Sequence, residues 1–179
     1  MTRDEFKVLV KGMKAVYSQA TFIPDQDAFN MWFALLGDIP YNVCGVAIRK
    51  YMMLSKFPPT VAEIRELAAT AVNGDPMSWG ESWEKALNAV RRYGTYNQAA
   101  ALDSLDPITR KCVDSIGYMT LCMSENIMVE RAHYQKIFEV YSKREQTEKQ
   151  LSQPLLQAIS NLQLHGVDGE KLQIDGERG

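Results

Sequence analysis

Pro58 and Pro59, followed at once by Thr60 and then by Glu63, constrain this chain more than any other stretch. Neither proline fits inside a helix, because each lacks an amide donor and its ring collides with the preceding turn. Residues just before a proline are pushed out of the α region as well. The segment Lys56-Phe57-Pro58-Pro59 must therefore arrive extended and stiff. Thr60 stands where an N-cap belongs, and Glu63 completes the reciprocal hydroxyl and carboxylate pattern of a capping box. Val61, Ile64, Leu67, Ala68, Ala71 and Val72 follow at helical spacing, with Asn73 and Gly74 as the stop. Residues 56–72 thus predict a helix with a fixed entry that closes a small helical domain.

Three amphipathic segments precede it. In the first, Asp4 to Ser18, Phe6, Leu9, Val10, Met13 and Tyr17 form one stripe and Lys7, Lys11 and Lys14 another. The lysines read either as a solvated face or as a contact for DNA or an acidic partner. A turn over 21–24 leads to a second helix, Asp25 to Leu36, with Phe29, Trp32, Phe33 and Leu36 in register and Asp25 and Asp27 near its positive end. After Pro40, Tyr41 to Leu54 carries Val43, Val46, Ala47, Ile48 and Tyr51 and is apolar enough to be central to a bundle. These four helices predict an N-terminal domain over residues 1–74.

Gly74-Asp75-Pro76 marks the boundary of a second helical region, residues 75–150. Ser78 and Glu81 predict a second capping box, and Trp79, Trp83, Ala86, Leu87 and Val90 a helix ending at Gly94 with both indoles on one face. Core packing and partner binding are both open to those indoles, since aromatic anchors also serve as interface hot spots. Residues 95–101 predict a short helix with Tyr96, Ala99 and Ala100 inward. Asp106 followed by Pro107 restarts the helix, and Ile108, Cys112, Val113 and Ile116 form its stripe. Met119 to Met123 reads as a buried turn or as the opening of the next helix. A long helix from Glu125 to Lys149 carries Ile127, Tyr134, Phe138 and Tyr141, then turns polar.

Pro154 interrupts that helix and opens a tail, residues 151–179. Leu155, Leu156, Ile159 and Leu162 make a brief amphipathic pattern, which either folds on a partner or docks on its own domain. Beyond His165 the chain is rich in glycine and charge, a composition that predicts disorder.

The expected fold class is all-α. With 179 residues and a net charge of −2, no general attraction to nucleic acid is expected. Cys44, Cys112 and Cys122 form no CxxC pair and read as reduced thiols. No apolar run suits a signal peptide or a membrane span, so a cytoplasmic protein is expected. The phosphate-binding pattern GxxxxGK followed by Ser or Thr is missing, and so are HExxH and GxSxG. His133 and His165 stand far apart. No enzymatic activity, cofactor or metal is expected.

Lys56 to Ile64, KFPPTVAEI, preceded by three short amphipathic segments, resembles the N-terminal domain of the phage family of replicative-helicase loaders and inhibitors. The resemblance covers about residues 1–72. It implies a small helical protein with no nucleotide site. Such a protein binds the hexameric DnaB-type replicative helicase, holds it inactive and delivers it to an origin-bound initiator protein, in the cytoplasm of a bacterial host. It also implies a mobile C-terminal part that takes part in helicase contact. The middle region, from WGESWEKALNAV through the long helix, is similar to prophage helicase-loader proteins. Shorter family members do not carry it, so it either replaces or supplements their mobile segment.

The partner-binding candidates are Lys56, Arg65, Trp79, Trp83, Leu155, Leu156, Ile159 and Leu162. Lys56 and Arg65 are expected to be exposed. The alternative function is a DNA-binding or transcription-regulatory helical module, in which Lys7, Lys11 and Lys14 or Arg91 and Arg92 contact phosphates.

Overall fold

A computed structural model describes residues 1–165. The protein is all-α, with ten helices and no strand among the described residues. These are α1 (Arg3–Val16), α2 (Gln26–Leu36), α3 (Tyr41–Leu54), α4 (Val61–Asn73), α5 (Trp79–Tyr93), α6 (Gln98–Asp103), α7 (Pro107–Ile116), α8 (Tyr118–Met123), α9 (Ile127–Gln150) and α10 (Gln153–His165). The chain divides into two compact units. One comprises Met1–Asp75 and the described residues from Lys149 onward, the other Pro76–Glu148. The expected disorder beyond His165 falls outside the described residues.

In the first unit the caps are local and complete. The Thr60 amide donates to Glu63 Oε2 at 2.7 Å, and the Glu63 amide to Thr60 Oγ1 at 3.3 Å. That backbone bond, with the Thr60 hydroxyl bond beside it, holds the Glu63 carboxyl below the ordinary carboxylate value. Thr2 and Glu5 build a second box at the start of α1. Phe6, Val10 and Met13 from α1 meet Leu36, Cys44, Ala47, Ile48 and Ile64 in one apolar core.

Two details of this unit differ from the sequence reading. Val46 is 52% exposed, because α3 is apolar on more sides than one core can cover. The turn over 21–24 is not a bare connection, since Phe22 and Ile23 are both buried. Phe22 sets its ring edge-on to Trp32 at 5.5 Å between centroids.

The second unit packs α5 with α6, α7 and α8 and buries Tyr134 and Phe138 of α9. Its first cap is half of what the spacing predicts. Ser78 Oγ accepts from the Glu81 amide at 3.2 Å, but the Glu81 carboxylate turns to Lys85 Nζ at 3.3 Å. An i,i+4 partner on the same helix has captured the side chain that would have closed the box.

Helix α6 also begins later than predicted, at Gln98. The later start rotates the inward face onto Ala101 and leaves Tyr96 and Ala99 exposed. Residues 118–123 are a helix of their own, set off from α7 by Gly117 at φ +97°, a conformation that favours glycine. Ile127, at the very start of α9, lies outside the core. Among the described residues no single helix is long and apolar enough to cross a membrane.

Candidate partner-binding surfaces

Arg65 is held, not presented. It leaves α4 one residue after the buried Ile64 and meets Asp38 as a fork, Nη1 to Oδ1 and Nη2 to Oδ2, both at 2.8 Å. Nη1 also donates to the Leu35 carbonyl at 2.5 Å, and Nε donates to the carbonyl of Gln150. Two parallel charge-assisted bonds are the strong form of this pairing. Burial pulls Asp38 upward, but the bonds and charge of Arg65 outweigh it and hold its carboxyl below the ordinary value. The side chain is 15% exposed, so the expectation of an exposed arginine does not hold. The reason is long-range: the loop after α2 offers a carboxylate and a carbonyl where α4 passes.

Lys56 is exposed, with its ammonium over the Phe57 ring at 5.7 Å from the centroid. Phe57 is itself exposed, and beside it in sequence Met53 and Leu54 are 84% and 78% exposed at the end of α3. Val46, Lys50, Met53 and Leu54 share one helical face by their spacing, an apolar row that the sequence reading passed over. The signal was available in the apolar surplus of α3.

The two indoles part company. Trp83 is 5% exposed and stands edge-on to Tyr134 at 5.1 Å, a core residue. Trp79 is half-buried, and Arg131 lies over its ring at 5.1 Å. Farther along this unit, Met119, Met123, Ile127, Met128 and Val129 are exposed in close succession.

Leu155, Ile159 and Leu162 form an i, i+4, i+7 row on α10 and are 45%, 36% and 45% exposed, while Leu156 is half-buried. Such a row is the form in which a helix enters a partner's groove. The segment is helical here, with its anchors on the outside.

Beneath the second unit's surface lies a set of hydroxyls. Ser82 Oγ is 2.7 Å from Thr109 Oγ1 and 2.6 Å from Tyr134 Oη, and Thr109 donates to Asp106 Oδ2 at 2.8 Å. Burial pushes the Tyr134 phenol well above its ordinary value. Among the described residues no buried side-chain polar atom lacks a partner, so this set is closed on itself and offers no free nucleophile. Among them, too, no three His, Cys, Asp or Glu side chains cluster as metal ligands. Burial raises the Cys44 and Cys112 thiols to about 11, far from the reactive thiolate.

Residues 1–65 match the N-terminal domain of a phage helicase-loader family. The match ends inside α4, at Arg65. No curated protein and no solved structure matches the chain.

Proposed function

We propose that this protein binds a hexameric DnaB-type replicative helicase, holds it inactive and helps to load it at a phage origin, where an initiator protein releases it. The match of residues 1–65 to the phage helicase-loader domain carries this reading. The exposed leucine and isoleucine row of α10 supports it, because it supplies an unpaired helical hook of the kind that fits a groove. The protein acts as a binding partner and not as a motor of its own. Inhibition follows from differential affinity: a ligand that prefers the idle state of the ring shifts the ring to that state. An initiator that competes for the same protein reverses the shift. Of the remaining candidates, Lys56 stands beside the exposed end of α3, and Trp79 is the indole that keeps an accessible edge.

Size-exclusion chromatography of the purified protein with its cognate helicase tests the proposal. A co-migrating complex in at least one nucleotide state is expected, and Leu155→Ser/Ile159→Ser should weaken it at least tenfold. Absence of a complex in every nucleotide state would sink the reading. An intact complex with the double variant would remove only the α10 hook.

A further inference from the structure

Lys7, Lys11 and Lys14 line one wall of a groove of about 560 Å³ on the first unit. The opposite wall is Ile23, Pro24 and Phe29. All three lysines are exposed, and among the described residues none is in an ion pair. Val10 and Ile23 are buried at the groove's floor, so its base is apolar while its rim is positive. Arg3 does not add to that rim as a free charge: it lies over the Phe29 and Phe33 rings and donates to Asn30. Ile23 has φ +49°, which a β-branched residue seldom adopts. Such outliers gather at ligand clamps, where the fold holds them in place.

We infer that this groove binds an acidic peptide segment of a partner protein through an apolar side chain seated between Val10, Ile23 and Phe29 and carboxylates paired with Lys7, Lys11 and Lys14. The volume lies within the range of sites that enclose a small ligand, which suits one or two side chains. A nucleic-acid strand fits less well. Asp4 and Asp25 face the same groove and would repel a continuous phosphate chain, and the whole protein is negative at −2. Separated carboxylates on a peptide can meet the lysines and avoid both aspartates. The inference uses no residue of α10 and does not depend on the helicase reading.

A random dodecapeptide display library, selected on the full 179-residue protein, tests it. Peptides with several Asp or Glu around a Phe, Leu or Ile are expected to enrich. One such peptide, synthesised with a fluorescent label, should bind by anisotropy and lose at least tenfold in affinity to Lys7→Gln/Lys11→Gln/Lys14→Gln. The three exposed sites should leave the circular dichroism spectrum unchanged, and the single variant Lys11→Glu should weaken binding in the same direction. Enriched peptides without acidic residues, or equal binding by wild type and variants, would overturn the inference. So would lysine-dependent binding of a thirty-residue oligo-dT in preference to the peptide.

Discussion

The two units solve the same problem, a small helical core, with different chemistry. The first buries only apolar side chains among its described residues and places its polar bonds at the rim, in the Thr60–Glu63 box and the Arg65–Asp38 fork. The second buries Ser82 and Thr109 and ties them to Tyr134 in its centre. An apolar core is held by volume and tolerates modest shifts. A buried hydroxyl set demands one geometry, because each unpaired member costs its full desolvation. The first unit should therefore be sensitive to lost volume and the second to lost partners.

The largest expected effect is in the first unit. Ile64→Ala removes a fully buried side chain and should cost about 2–5 kcal/mol in urea denaturation. Next is Arg65→Ala, which breaks the fork and should cost about 1.5–3 kcal/mol. This loss has a pH signature. The Asp38 carboxyl is lowered in the folded state, so the fork's stabilisation is fully present above the ordinary value of 3.8 and fades as pH falls through the lower folded value. The gap between wild type and Asp38→Asn should hold steady from pH 7 to pH 5 and narrow below about pH 4. A gap that is constant down to pH 2 would remove the fork from the stability of the first unit.

Tyr134→Phe keeps the ring against Trp83 and leaves Ser82 with Thr109, so it should cost about 1 kcal/mol. Should it match Ile64→Ala, the hydroxyl set would outrank volume, and the contrast between the units would need redrawing. Smaller still is the difference between caps. Thr60→Ala loses a reciprocal box and should cost about 1 kcal/mol, whereas Ser78→Ala loses a single bond and should cost about 0.5 kcal/mol. The reverse order would show that box closure adds nothing here. The least effect concerns thiols. With Cys44 and Cys112 buried and raised to about 11, a thiol reagent at pH 8 should modify Cys122 first in the native protein and all three only after unfolding. Prompt loss of three thiols from native protein would mean that neither core is as closed as described.

What could be read from the chain in advance was what neighbours within a turn or two settle among themselves. The Thr60 box, the Asp106–Pro107 restart and the stripe of α1 are of that kind, because donor and acceptor lie three or four residues apart. Where two local partners competed, the reading slipped: Glu81 chose Lys85 over the cap, and α6 started late enough to turn Tyr96 outward. The candidate surfaces were legible in part. The α10 row followed from periodicity, but the exposed face of α3 appeared only once it was known how little of that helix one core could cover.

Sequence spacing alone was enough for the all-α class, for the helix that follows Pro59 and for the apolar stripes, since helical periodicity and capping are short-range. Packing alone made Arg65 a clamp, Trp83 a core residue, and Ser82, Thr109 and Tyr134 a closed set. Those partners stand 27 to 52 residues apart, and no local preference of a backbone says which distant group will arrive beside it.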